Sequence, residues 1–176
     1  MYFFYLKKLI AVFFIYFIMC FTVSFANVWG NNTSLENIIK TLPDINDIKC
    51  KFKQEKIIPN IDKPILSSGN FEFIKNEGVY FYINYPINSE INYTNKNYKQ
   101  INDVIKAIAS KKYKKLEKEF DFYLEKENNK WVLGLKPKEK TAEFLSSIII
   151  EGNDDFLQKI KIEMINGNTT TIWFIQ

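Results

Sequence analysis

The chain has 176 residues, of which 47% are hydrophobic and 16% aromatic, and its formal net charge is +4. All of its basic residues are lysine, because the sequence contains neither arginine nor histidine. This composition excludes histidine-based catalysis and histidine metal sites, and it argues against nucleic-acid binding because the guanidinium fork that reads guanine and grips phosphate is missing.

The N-terminus has the layout of a secretory signal peptide. Lys7 and Lys8 precede an apolar run from Leu9 to Phe21, and the segment ends in Ser24-Phe25-Ala26, which places small residues at the cleavage site. Cleavage after Ala26 would leave residues 27–176 as a single domain that is long enough to bury a core. It would also remove two lysines and lower the net charge to +2, which favours no polyanionic partner.

Two alternatives remain open for this segment. Apolar character extends almost from Leu9 to Ala26, which is also compatible with an uncleaved anchor. Cys20 would allow lipidation, but the preceding Phe17-Ile18-Met19 lacks the small residue that a lipobox places before its cysteine. After cleavage Cys50 would be the remaining cysteine, so the core rather than a disulfide must stabilise the domain.

A short amphipathic helix is predicted first. Thr33 and Glu36 have the spacing of a capping box, and Pro43 ends the segment. Its apolar residues follow helical spacing: Leu35, Ile38, Ile39 and Leu42.

Alternating apolar and polar residues then predict antiparallel strands. In the first half these are Ile48 to Pro59, Leu66 to Ile74, Val79 to Tyr85, Glu90 to Thr94 and Tyr98 to Ile101, with a loop at Asn60 to Pro64 and turns at 76–78 and 95–97. Helical spacing returns from Asp103 to Ala109 and continues at Tyr113, Leu116 and Phe120. The second half has strands at 120–124, 131–137, 147–151, 160–164 and 169–175.

About ten strands joined by short turns predict a mainly β, α+β fold. We expect an incomplete antiparallel β-barrel, or strongly curved sheet, covered by two or three helices. Its concave side would enclose an apolar cavity that the side chains do not fill. The predicted lipid-binding wall is Phe71, Phe73, Phe81, Ile83, Tyr85, Trp131, Leu133 and Leu135, and the predicted lid is Leu35, Ile38 and Ile39. A one-residue shift in strand phase would replace Phe81 and Ile83 by Tyr80 and Tyr82.

The sequence predicts no catalytic, metal or cofactor site, and therefore not an enzyme. A single cysteine cannot form a thiolate zinc site, Asp154-Asp155 belongs to a turn, and Ser67-Ser68-Gly69 lacks the strand-to-helix context of a nucleophile elbow. The lysine cluster 111, 112, 114, 115 and 118 has two interpretations, a hydrated helix face or a docking surface for anionic headgroups or a partner.

The order of several motifs over nearly all of the mature chain resembles the LolA family of periplasmic lipoprotein carriers, in particular its shorter LolA-like branch. These motifs are Phe52-x-Gln54, Leu66-x-Ser68-Gly69-x-Phe71-x-Phe73, Gly78-Val79-x-Phe81 with Pro86, Trp131-x-Leu133-x-Leu135-x-Pro137, Ile148 to Gly152, and Gly167-Asn168-Thr169 leading to Ile172-x-Phe174. The chain departs from the family in having Phe81 where tryptophan is common, Asn95-Lys96-Asn97 in place of an Asp-Gly turn, and no arginine to latch the lid.

The resemblance implies a monomeric periplasmic carrier that shields the acyl chains of lipoproteins during transfer from the inner to the outer membrane. It also implies an inner-membrane release complex and an outer-membrane acceptor as partners. Two alternatives stay open, a carrier of glycolipid or other lipid and a non-transporting sensor or docking module on the same fold.

Overall fold

The structure is a computed structural model that describes residues 28–30, 32–43, 48–74, 78–92, 103–107 and 112–176. The predicted signal peptide, the turn at 95–97 and the short strand at 98–101 lie outside these ranges.

Within these ranges nine strands form one sheet, in which every neighbouring pair is antiparallel. They are β1 (Ile48–Ile57), β2 (Ile65–Ile74), β3 (Gly78–Tyr85), β4 (Ser89–Asn92), β5 (Phe120–Glu127), β6 (Lys130–Pro137), β7 (Leu145–Asn153), β8 (Leu157–Met164) and β9 (Thr169–Ile175). The order is β4-β3-β2-β1-β9-β8-β7-β6-β5, so β4 and β5 are the edges among the described strands and these strands form a curved, unclosed sheet. The predicted fold class, an incomplete antiparallel barrel with covering helices, is confirmed.

Glycine allows two strands to approach closely where the sheet bends. The register between β2 and β3 shifts at Ser68 and Gly69, as it does in a β-bulge. A Cβ on Gly69 would lie 1.9 Å from the carbonyl oxygen of Tyr82, so no larger residue fits there. Further register shifts between β7 and β8, at Leu145 and Gly152, add to the curvature.

The first helix, α1 (Leu35–Thr41), begins one residue later than its predicted cap implies. Ser34 has an extended backbone, and its hydroxyl accepts the hydrogen bond from the Asn37 N–H at 3.2 Å. The predicted capping box of Thr33 and Glu36 is therefore wrong: Thr33 instead accepts a bond from the Asn37 side chain, and Glu36 pairs with Lys40.

Helical structure is also present at residues 103–107, as predicted, and a 3-10 turn covers Tyr113–Lys115. The predicted helical spacing ends there, because Phe120 is the first residue of β5. Two more 3-10 turns cover Val28–Gly30 and Glu139–Glu143.

One continuous core lies between the inner face of the sheet and the helical segments at residues 35–41, 103–107 and 113–115. Strands β1, β2, β3 and β5 to β9 contribute buried side chains to it, and the helical segments contribute Ile38, Leu42, Val104, Ile105, Ala107, Tyr113 and Leu116. Packing of one sheet face against short helices therefore accounts for most of the buried apolar area.

The first 3-10 turn, Val28–Gly30, packs on the outer face of the sheet beside β6. A Cβ on Gly134 would lie 2.9 Å from the Trp29 ring, so the bare backbone of β6 makes room for the indole. The Trp29 and Tyr123 rings meet edge to face with centroids 5.3 Å apart. Local sequence patterns do not predict this contact, because a glycine such as Gly134 within a strand indicates only a lower β propensity.

Candidate functional site

The inner face of the sheet is the candidate site, and its β9-β1-β2-β3 half is aromatic. Phe81 lies edge to face with both Phe52 and Phe71, with 4.9 Å between ring centroids in each pair. Phe174 lies 4.6 Å from Phe71 at a tilted angle. Such pairs add about 0.5–1.5 kcal/mol each to the free energy that area burial contributes, so this half is a rigid wall.

The other half of the inner face is mainly aliphatic. Residues that are paired across neighbouring strands form one unbroken apolar row: Leu124, Leu133, Ile150, Ile160 and Ile172. Five strands at a spacing of about 4.8 Å make this row roughly 19 Å wide. The row arises from strict alternation along each strand, since the register places inward residues directly opposite one another.

Most of the predicted wall residues lie on this face. Six are buried in the core: Phe71, Phe73, Phe81, Trp131, Leu133 and Leu135. Ile83 is partly buried against it. The strand phase is the one preferred from the sequence, because Tyr80 and Tyr82 lie on the outer face with stacked rings 6.5 Å apart. Binding of lipid by these residues stays a prediction.

Tyr85 does not belong to the wall, and this part of the prediction is wrong. Its side chain is 57% exposed at the end of β3. The register shift pairs Gly69 with Ile83 but Ser68 with Tyr85, so Asn84 is an extra residue. A bulge interrupts the alternation on which the prediction depended.

Trp131 has a structural role beside its place in the wall. Its indole Nε1 donates a hydrogen bond of 2.7 Å to the carbonyl oxygen of Asn153. Gly152 lies directly beneath the ring, because a Cβ there would be 2.3 Å from Trp131 Cζ2. The side chain is thereby fixed at one end of the sheet.

The three predicted lid residues differ in burial. Ile38 is fully buried, Leu35 is partly buried against the core, and Ile39 is 37% exposed. Helix α1 thus directs only part of its apolar face at the sheet. The Thr33 N–H donates to the carbonyl oxygen of Phe122 at 3.0 Å, which holds the start of the segment beside β5.

Charge is kept away from the inner face. None of the described aspartate, glutamate or lysine residues is buried. Burial raises the pKa of the Cys50 thiol to about 11, so this side chain stays neutral at physiological pH and behaves as a small apolar group. The inner surface therefore offers apolar contact.

Two open pockets are lined by described residues. One, of about 220 Å³, lies on the outer face beside Trp29 and includes Ser147 and Glu163. Hydrogen bonds from Lys161 and then Ser147 hold the pKa of Glu163 below its usual value. The other, of about 510 Å³, is a notch beside the end of β9 that reaches Cys50 and Phe71. The predicted cavity beneath the helices stays a prediction.

The described ranges contain neither a metal site nor a membrane-spanning helix. No three cysteine, aspartate or glutamate side chains there come together as metal ligands. The helices within the same ranges are all too short or too polar to cross a membrane.

Comparison with known proteins gives likenesses to solved structures alone. No family model matches the chain, and no curated protein matches it either. Among solved structures, a LolA superfamily protein from Nitrosomonas europaea is similar over 81% of this chain and 90% of its own, with 10% sequence identity and a TM-score of 0.35. Membership of the LolA family therefore stays a prediction, and the proposals that follow rest on the geometry described above.

Proposed function

We propose that the protein is a periplasmic carrier that shields the acyl chains of lipoproteins, or of another lipid, between the inner face of its sheet and the covering helices. The observation that carries this proposal is the apolar row that runs unbroken across five strands from Leu124 to Ile172. No side chain in this row can ionise or donate a hydrogen bond, so an alkyl chain is the ligand that it suits.

The energetics explain why such a carrier is useful. Burial of a methylene is worth about 0.8 kcal/mol, so a chain of about sixteen carbons resists transfer into water by on the order of 12 kcal/mol. An interior of comparable apolarity removes most of this barrier. Contact alone supplies the affinity, and release requires only that a membrane or acceptor offer similar contact.

The covering elements are suited to opening. Helix α1 has seven residues, fewer than the roughly 12–15 at which an isolated helix becomes even marginally stable, so its order depends on packing against the sheet. The sheet is unclosed over the part of the chain that the structure describes, where β4 and β5 are both edges. A ligand that replaces the contacts of Ile38 and Leu42 could therefore enter without disrupting the strand ladder.

A fluorescent fatty acid tests the proposal with two neighbouring substitutions. Ile150→Thr introduces a hydroxyl in the middle of the apolar row, whereas Ile149→Thr makes the same change on the outer face. We expect saturable binding by the natural protein, an affinity about tenfold weaker for Ile150→Thr, and no change for Ile149→Thr. Circular dichroism checks that both variants are folded.

A measurement on the natural protein avoids any effect of substitution on folding. A ligand that binds only the folded state raises the melting temperature with concentration. We expect this rise with a saturated fatty acid below its micelle concentration. A flat melting temperature together with no saturable binding would exclude the carrier.

One observation favours a second candidate, a docking module with a permanently packed interior. Phe71, Leu133 and Ile150 have no solvent exposure, so the described core is closed. Such a module would show no lipid uptake and a melting temperature that detergent monomers leave unchanged. The two melting experiments therefore separate the candidates.

The class of cargo requires a separate experiment. Lipoprotein, glycolipid and free lipid share the acyl chain that the interior would recognise. Mass spectrometry of material that copurifies from the protein's own periplasm would identify the headgroup or the polypeptide attached to that chain.

A further inference from the structure

One end of the sheet exposes an unusual number of apolar side chains. This end contains the last residues of β1, β3 and β8, the first residues of β2, β7 and β9, and the turns that join them. We call it the apolar rim, defined by Ile57, Ile61, Ile65, Leu66, Tyr85, Ile87, Phe144 and Ile165.

Backbone contacts place these residues along one continuous edge. Lys56 pairs with Ile65, which brings the end of β1 beside the start of β2. The Ile165 N–H donates to the carbonyl oxygen of Phe144 at 3.0 Å. A Cβ on Gly167 would lie 2.9 Å from Pro59 Cγ, so the loop after β1 packs on the turn between β8 and β9.

The concentration of exposed apolar residues at this rim is uneven. Eleven large hydrophobic side chains are exposed in the described ranges, and eight of them belong to the rim. Ile61, Ile165 and Ile87 are 52%, 60% and 76% exposed. Single exposed apolar residues are ordinary, but a contiguous group marks an interaction surface.

Lysines lie along the same end of the sheet. Lys112, Lys114, Lys115 and Lys118 are all exposed, and Glu117 is the single acidic residue between 112 and 118, so this segment carries a formal charge of +3. It leads into the first residue of β5, and the Lys138 N–H holds it by donating to the carbonyl oxygen of Glu119 at 2.8 Å. Elsewhere at this end of the sheet, opposite charges are adjacent in sequence and cancel, as in Asp62-Lys63 and Glu139-Lys140. The excess positive charge therefore lies on residues 112–118.

We propose that the apolar rim docks the protein on an anionic bilayer, with its isoleucines in the interfacial region and the lysines of 112–118 on headgroup phosphates. Apolar side chains beside lysines suit the boundary between acyl chains and charged headgroups. A protein partner fits less well, because binding hot spots are enriched in tryptophan, tyrosine and arginine. The rim consists mainly of isoleucine, and the charged segment beside it contains lysine and no arginine.

This inference goes beyond the carrier function and can fail separately from it. Docking uses the outside of one end of the sheet, whereas the proposed carrier uses the inner face. A variant of the rim should therefore keep its affinity for a fluorescent fatty acid. A variant that loses vesicle binding but keeps fatty-acid binding is impaired at the rim. A variant that loses fatty-acid binding but keeps vesicle binding is impaired at the inner face.

The test uses the exported form of the protein and vesicles of phosphatidylglycerol and phosphatidylethanolamine. Sedimentation of the vesicles measures the fraction of protein that binds to them. We expect the double variant Ile61→Ser, Ile165→Ser to reduce binding at least tenfold. The matched control is Trp173→Ser with Ile175→Ser, which replaces two residues of β9 that are each 38% exposed outside the rim. We expect this control to bind as the natural protein does.

A second pair tests the charge. Lys115→Gln should weaken binding about fivefold at low salt. Lys130→Gln, at the first residue of β6 on the opposite end of the sheet, should have no effect. Replacing phosphatidylglycerol by the zwitterionic phosphatidylcholine should weaken binding of the natural protein, and so should added salt. The proposal is overturned if the natural protein does not sediment with anionic vesicles, if lipid charge has no effect, or if rim and control variants bind alike.

Discussion

The two ends of the sheet are built differently. At the end opposite the apolar rim, which we call the polar rim, residues 128–129 join β5 to β6 and residues 154–156 join β7 to β8. Asp154 pairs with Lys126 at 2.6 Å, and its N–H donates to the carbonyl oxygen of Asn129 at 3.0 Å. The polar rim is thus closed by hydrogen bonds, whereas the apolar rim exposes isoleucine.

The difference indicates that the two ends of the sheet have different roles, one in stability and the other in binding. Turns at a sheet end are normally polar because their backbone groups need partners, and the polar rim meets this need within the protein. Isoleucines at the apolar rim gain little from folding because they stay in water. Substitutions should therefore cost stability at the polar rim and binding at the apolar rim.

The largest effect is expected for Trp131→Ala. The change removes a fully buried ring and the hydrogen bond to Asn153, and we expect about 3–5 kcal/mol less stability in urea unfolding. Trp173→Ala is the matched control, because this ring is 38% exposed on β9, and it should lose under about 1 kcal/mol. Similar losses for both variants would contradict the role assigned to Trp131.

Gly152→Ala should have the next largest effect. Its new Cβ would lie 2.3 Å from Trp131 Cζ2 and 2.8 Å from the carbonyl oxygen of Phe156, so the polar rim must shift at a cost of about 1–3 kcal/mol. Gly30→Ala has no heavy atom within 4 Å of its Cβ and serves as the control. Thermal unfolding of both variants measures the difference, and a stable Gly152→Ala protein would show that the indole can move.

Asn153→Ala should cost about 1–2 kcal/mol in chemical unfolding. The side-chain oxygen of Asn153 accepts hydrogen bonds from the Asp155 and Phe156 N–H groups at 3.0 and 2.7 Å. At the apolar rim the equivalent change is Asn166→Ala, which removes a single bond of 3.1 Å from the Asn168 N–H. We expect Asn166→Ala to cost about half as much, and the reverse order would break the contrast between the rims.

Glu163→Gln tests the polar support just behind the apolar rim. Hydrogen bonds from Lys161 and Ser147 lower the folded-state pKa of Glu163, so its carboxylate stabilises the fold above the unfolded pKa of about 4.5 and this contribution is lost as pH falls through the lowered value. The group is partly exposed, so we expect a loss below about 1 kcal/mol at neutral pH that disappears in acid. Urea unfolding at neutral and at acid pH measures this loss, with Glu127→Gln at the exposed last residue of β5 as the control.

The smallest effect on stability is expected for the double variant Ile61→Ser, Ile165→Ser. Both side chains are more than half exposed, so unfolding free energy should change by less than about 0.5 kcal/mol. Calorimetry measures this. A loss comparable to that of Asn153→Ala would mean that the apolar rim supports the fold, and the division between the two ends would then be wrong.

Alternation along the chain was enough to predict most strands and the side of the sheet on which their residues lie. Phe71 and Phe81 face inward as predicted, because a two-residue period places them on the hydrophobic side whatever their partners are. Helix α1 was likewise predicted from a local pattern, the helical spacing of its apolar residues. Its cap was misplaced by one residue, because Thr33 and Ser34 are chemically similar and only the backbone conformation selects Ser34.

Features that depend on distant residues could not be predicted. The first and last strands pair, with Phe52 opposite Phe174, and local patterns contain no information about that choice. The bulge at Gly69 turned Tyr85 outward, and the apolar rim became visible only when separate loops were brought to one edge. Each isoleucine of the rim was unremarkable by itself in the sequence.

The most direct test of the central claim is methyl NMR of the protein with a stearic acid that carries a nitroxide on its chain. Paramagnetic broadening reports which methyl groups lie near the chain, and the isoleucines provide reporters for both surfaces. We expect strong broadening at Ile148, Ile150 and Ile160 on the inner face and weak broadening at Ile57 and Ile65 of the apolar rim. Broadening confined to the rim, or absent from the inner face at saturating ligand, would contradict an interior that carries acyl chains.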